Sequence, residues 1–177
     1  AQGGSLEGPV LRWQRSLAGD GQVTGLAFGA GRLYGASVTK TSSFFALHAH
    51  KRHGDKQILQ VAEGEWKSAP TFGHAASRGL LLGDQAFWVT AQPESRQLFL
   101  HSYQQTTGSL TWTKILKGEE PRSLVGWSGH PLLAYHRGQK GVILALEQKT
   151  QKRIWHHVVD SPLTAPVNLS PDGQYLY

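Results

Sequence analysis

Residues 97–112 read QLFLHSYQQTTGSLTW: a strand-like run, a short polar turn around Thr107-Gly108, then a second run with Trp112 near its start. The same order returns at 141–155, GVILALEQKTQKRIW, with Thr150 in the turn and Trp155 at the end. A third copy at 43–59, SFFALHAHKRHGDKQIL, has Leu59 where the tryptophan is expected. Arg12-Trp13-Gln14-Arg15-Ser16-Leu17 looks like the tryptophan half alone. Matching Leu47, Leu100 and Leu146 gives spacings of 53 and 46; matching Trp13, Leu59, Trp112 and Trp155 gives 46, 53 and 43.

Between these copies lie further short segments rich in Val, Leu, Tyr, Phe and Trp and bounded by Gly, Asp, Ser and Pro, as strands are. Gly31–Ser37, Gln85–Thr90, His130–Tyr135 and Gly173–Tyr177 match by position, preceded by Val23–Phe28, Ser68–Phe72, Ser123–Trp127 and Thr164–Leu169. No stretch carries a 3.6-residue apolar period over 11 or more residues. Four strands in a repeat of forty to fifty residues fit one blade of a β-propeller. The expected fold is all-β, an incomplete β-propeller of four-stranded antiparallel blades, about half a ring. A single domain spans 1–177, with blades at 18–61, 66–116 and 122–159 and flanking strands at 10–17 and 163–177. Large aromatics such as Trp13, Trp112 and Trp155 would fill the gaps between blades, each burying roughly 150–250 Å².

The motif formed by Phe45-Ala46-Leu47, by Phe99-Leu100 with Thr107-Gly108 and Trp112, and by Leu144-Ala145-Leu146 with Thr150 and Trp155 resembles the quinoprotein-like, or PQQ-type, β-propeller repeat. The likeness covers most of the chain as about three blades, though Gln151 replaces the repeat's glycine in the third copy. Ser170-Pro171-Asp172-Gly173-Gln174-Tyr175-Leu176-Tyr177 is also similar to lactonase-type and TolB-type repeats. The resemblance implies a ring of seven or eight blades. About half of one would expose apolar sheet faces and open edges, which drive association with a protein partner or a second copy. It also implies two functional branches. Dehydrogenases of the family bind PQQ with calcium, often beside a vicinal disulfide; other members use the propeller as a binding platform.

Composition narrows the choice. The 177 residues include no Cys and no Met, so a disulfide, a thiolate zinc site and a cysteine nucleophile are excluded. The longest apolar runs, such as 79–83, fall far short of the roughly 20 residues that span a bilayer. The net charge of +6 comes from basic residues scattered beside turns, which speaks against a nucleic-acid surface. A chain beginning Ala1-Gln2-Gly3 suggests a processed or excised N-terminus, hence periplasmic or extracellular localisation.

The sharpest chemical cluster is His48, His50, His53 and Asp55. Residues 48 and 50 of a strand share a face, and His53 or Asp55 can close on the same metal from the turn. Lys51, Arg52 and Lys56 interleave these residues and oppose a cation, which favours a solvated polar hairpin. His156 and His157 are adjacent, so on a strand they face opposite ways. Glu63, Glu65, Glu119 and Glu120 read as loop carboxylates at the surface, and Gly29-Ala30-Gly31 reads as a hairpin turn, not a phosphate loop. No Gly-x-Ser-x-Gly elbow is present, and no catalytic residues are assigned. The expected role is a non-enzymatic, exported scaffold for protein–protein interaction with no cofactor. The alternative is a piece of a quinoprotein-type dehydrogenase, with PQQ and calcium, or of a lactonase-type propeller enzyme whose active residues lie outside this chain.

Overall fold

The computed structural model describes residues 22–48 and 65–177. Three antiparallel sheets follow one another along the chain. The first is β1 (Gln22–Gly29), β2 (Arg32–Val38), β3 (Ser42–His48) and β4 (Trp66–Lys67), in that order. The second has β5 (His74–Ala75) and β6 (Leu80–Leu82) side by side along one edge of β7 (Gln85–Gln92), then β8 (Gln97–Gln104) and β9 (Leu110–Lys117). The third runs β10 (Pro121–Trp127), β11 (His130–Arg137), β12 (Lys140–Leu146) and β13 (Arg153–Val159). The sheets do not close into a ring; this is the expected all-β, partial propeller. No helix among the described residues is long and apolar enough to cross a membrane.

Each sheet opens with the same two-residue hairpin: Gly29 pairs with Arg32, Leu82 with Gln85, and Trp127 with His130. In the first and third, both turn residues have positive φ, Ala30 (50°) with Gly31 (71°) and Ser128 (47°) with Gly129 (77°). That is the twist two-residue hairpins prefer. Gly29-Ala30-Gly31 is therefore a hairpin turn.

Strand sequence follows from what lies on either side. Sheet two is sandwiched, so β7, QAFWVTAQ, is apolar on both faces. Phe87, Val89 and Ala91 pack with Leu98, Leu100 and Trp112 against Leu133, Tyr135, Val142, Leu144 and Leu146 of sheet three. Ala86, Trp88 and Tyr103 pack the other way, against Tyr34, Ala36, Phe44, Ala46 and Trp66 of sheet one. The sheets converge at their first strands. Gly79 N donates to Gly25 O at 2.9 Å across the gap. Both partners sit at irregularities: β1 shifts register between Thr24 and Ala27, and the opposite strand is split between β5 and β6. Gly25 has φ +63°, and a Cβ there would lie 2.5 Å from Ser77 O.

Three expectations need correction. The outer strand of sheet one is Trp66–Lys67, paired with Ala46 and Phe45, so the first blade runs past the expected boundary at 61 and takes residue 66 from the second. Trp66, not Leu59, holds the tryptophan position; Leu59 itself lies outside the described residues. The pairs Ala46–Trp66, Ser102–Trp112 and Ala145–Trp155 set the true alignment, which places Leu47 with Tyr103 and Leu146, not with Leu100. Residues 68–72, expected as the first strand of the next blade, continue the edge of sheet one: Ser68 N donates to Phe44 O and Thr71 N to Ser42 O, both at 2.7 Å. Pro70 between them has no N–H, which interrupts the ladder. The expected strand at 10–17 lies outside the described residues. After β13, residues 168–177 turn back at Ser170-Pro171-Asp172-Gly173, with Asn168 and Tyr177 exchanging backbone bonds of 2.8 and 3.0 Å.

Candidate functional site

The polar groups inside the sheet interfaces form latches. Trp66 Nε1 donates to Gln105 O at 2.8 Å, in the turn between β8 and β9 of the next sheet. Arg32 Nη1 donates to the same carbonyl at 2.9 Å, and Gln105 Nε2 donates to Gln85 O at 2.9 Å. The Trp66 ring lies where a Cβ on Gly108 would stand, so this turn position needs glycine for space as well as for its φ of +71°. The arrangement repeats one sheet on. Trp112 Nε1 donates to Gln148 O at 2.9 Å, and Gln148 Nε2 reaches back to Leu82 O at 3.1 Å. Gln151 takes the place of Gly108: its N–H bonds Glu147 O at 3.0 Å, as Gly108 N bonds Gln104 O at 2.9 Å, and its φ is 59°.

His101 is buried between sheets one and two. Thr90 Oγ1 donates to Phe72 O at 2.8 Å, so its lone pair accepts from His101 Nε2–H at 3.0 Å. Nδ1 then accepts from the Thr113 hydroxyl at 3.0 Å. Burial lowers the imidazole pKa from 6.5 to about 4, so the ring is neutral and fully bonded at physiological pH. Burial likewise pushes Tyr103 up to about 12. These two groups hold sheets together, and neither His101 nor Tyr103 is exposed as a base or nucleophile.

The far side of sheet three differs. Leu132, Ala134 and Ile143 are covered in part by Val167, Leu163 and Leu176. Trp127 and Trp155 meet edge to face at 5.7 Å and 85° on the same side. Beside them a shallow cavity of about 300 Å³ is lined by Ile143, Leu163, Leu176 and Tyr177. Tyr175 and Tyr177 are 67% and 73% exposed. This trailing face corresponds to the faces of sheets one and two that the following sheet buries.

Of the expected metal ligands, His48 closes β3, while His50, His53 and Asp55 lie outside the described residues. Among the described residues no group of three or more His, Cys, Asp or Glu is placed to hold a metal ion. His156 and His157 are neighbours on β13, paired with Leu144 and Ile143. Glu63 lies outside the described residues. Glu65 is buried, contrary to its reading as a surface carboxylate. Glu119 and Glu120 are at the surface, in ion pairs with Arg96 (3.4 Å) and Arg122 (3.1 Å).

The resemblance implies calcium and PQQ at the axis, but the described residues that converge there do not fit them. Calcium takes six to eight oxygen ligands, carboxylates among them. The converging strands β1, β5, β6 and β10, and residues 164–169, contain no Asp or Glu, and Arg78 and Arg122 stand in or between them.

No family model matches the sequence, and no curated protein does. The fold is similar to the crystal structure of BamB from Moraxella catarrhalis, with 16% sequence identity and a TM-score of 0.51 over 72% of this chain. The chain spans 33% of that protein's length. At this identity the likeness establishes the architecture alone: three successive blades of a β-propeller-like fold, their interfaces latched by Trp66 and Trp112 and the trailing face of the third covered in part by residues 163–176.

Proposed function

We propose that the chain is a non-enzymatic β-propeller scaffold for protein–protein interaction, working outside the cytoplasm. One observation carries the reading. The trailing side of sheet three, covered in part by Leu163, Val167 and Leu176, carries Trp127 and Trp155 edge to face, with Ile154 next to Trp155 and Tyr175 and Tyr177 of the covering segment exposed, while the equivalent faces of sheets one and two are closed by the next sheet. Aromatic residues at that density are typical of interface cores. The partner is a protein, or a second copy of the chain, that extends the propeller. Export rests on the resemblance to the quinoprotein-like family.

A photo-reactive residue at Ile154 should give a discrete adduct in the native host, and one at the exposed turn residue Gln139 should not. Dye-linked dehydrogenase activity on adding PQQ and calcium would replace this reading with the enzymatic one. Recovery of the native protein in the cytoplasmic fraction would remove export.

A further inference from the structure

Sheets two and three part at their outer edge. A cleft of about 420 Å³ opens between β9 and β13, with Val142, Leu144 and Leu146 of β12 as its floor. The matching interface between sheets one and two carries larger side chains at two of these positions. By the register of the tryptophan pairs, Phe99 and Tyr103 stand where sheet three has Val142 and Leu146. The Phe99 ring also stacks on His101 at 6.3 Å. Smaller side chains on sheet three leave the space unfilled.

The walls carry Lys114, Arg137, Arg153 and His156, and among the described residues no carboxylate lines the cleft. Nor do Lys114, Arg137 or Arg153 make an ion pair among the described residues. The nearby carboxylates are committed elsewhere, Glu119 to Arg96 and Asp160 to Lys140 at 2.7 Å. These basic side chains are spread along the buried strand. Arg153 pairs with Leu146 at one end, His156 with Leu144 in the middle, and Arg137 follows Tyr135, the partner of Val142, at the other end. Val142 to Leu146 spans about 13 Å of strand. A single compact headgroup does not reach both ends; an extended chain of four or five residues does.

We propose that this cleft docks an extended acidic peptide segment of a protein partner along its mouth, with apolar side chains toward the half-buried Leu116 above the buried Val142–Leu146 strand and carboxylates toward Lys114, Arg137 and Arg153. Period-two alternation in an extended chain supplies that pattern. The proposal rests on the scaffold reading and names where a partner binds and by what chemistry.

The test is fluorescence anisotropy with the labelled pentapeptide Glu-Leu-Asp-Leu-Glu against the whole chain. Lys-Leu-Lys-Leu-Lys, dodecanoate and a single-stranded RNA oligonucleotide serve as competitors. Only unlabelled acidic peptide should compete. Paired Lys114→Glu and Arg153→Glu should weaken binding at least tenfold without lowering the melting temperature. Val142→Phe, which copies Phe99, should fill the cleft and abolish binding. No saturable binding at millimolar peptide, equal binding by Val142→Phe, or displacement by dodecanoate or RNA overturns the acidic-peptide assignment. Those results leave the Ile154 cross-link untouched, whereas PQQ turnover removes the scaffold reading and leaves the peptide result standing.

Discussion

The indole N–H of Trp112 donates to the backbone carbonyl of Gln148 at 2.9 Å, joining the outer strand of one sheet to a turn of the next. Trp66 and Gln105 repeat it one sheet earlier at 2.8 Å. The acceptor is main chain, so the latch depends on the conformation of the turn more than on the glutamine side chain.

Trp112→Ala should therefore destabilise by about 3–5 kcal/mol, the usual range for emptying a buried aromatic site. Trp112→Phe, which keeps much of the packing and loses the hydrogen bond, should cost about 1–2 kcal/mol. Trp155→Ala, on the partly covered face, should cost less than Trp112→Ala. Urea unfolding of the three variants gives the order directly.

His101 makes stability depend on pH. Its folded pKa is lowered to about 4, while the unfolded value is the ordinary 6.5. The unfolded chain thus binds a proton first as pH falls. The contribution is complete above about pH 6.5, is lost progressively as pH drops toward 4, and amounts to about 3 kcal/mol at most. His101→Leu, which copies Leu144 at the matching position, should flatten the difference curve between those pH values.

At the turn beside the latch, opposite substitutions should act in opposite directions. Gly108→Ala forces a Cβ into the Trp66 ring at φ +71° and should cost more than 2 kcal/mol. Gln151→Gly relieves a left-handed non-glycine residue and should gain about 0.5–1 kcal/mol. A Tm scan of both variants tests the equivalence of the two turns.

The converging first strands give a paired comparison. Gly25→Ala and Gly31→Ala both place alanine at positive φ, but only at Gly25 does the new Cβ meet a backbone oxygen, Ser77 O at 2.5 Å. Gly31 has open space around it. Gly31→Ala should cost about 1 kcal/mol and Gly25→Ala clearly more. Equal losses would mean that the Gly79–Gly25 approach contributes nothing.

Much of the architecture was legible because Trp112 and Trp155 each stand ten residues after their strand partners, Ser102 and Ala145. Trp66 reads as a packing residue from sequence, but its place as the first sheet's tryptophan is not legible because it comes twenty residues after Ala46, and spacing arguments fail across so long a connection. Ser68 and Thr71 were assigned to the wrong sheet because apolar pattern does not say which neighbour an edge strand joins. The latches themselves were half visible. Gln105 and Gln148 hold the same place in two turns, two residues after Tyr103 and Leu146, yet a main-chain acceptor leaves no mark on residue type. Nothing in the sequence marks His101, since only the packed interface makes it buried. The cleft was invisible for a related reason: it exists through the difference between Phe99 and Val142 once the two sheets are superposed.

The tryptophan latch has a direction. Each indole reaches forward to the turn of the following sheet, so one side of a sheet gives and the other receives. Contact that reuses the latch joins two different surfaces; it is heterologous, and successive units add by rotation in one sense. If two copies associate through the Trp155 side, they do so head to tail, and only a pair whose rotations sum to a full turn is saturated. Any other geometry leaves a free end that recruits another copy.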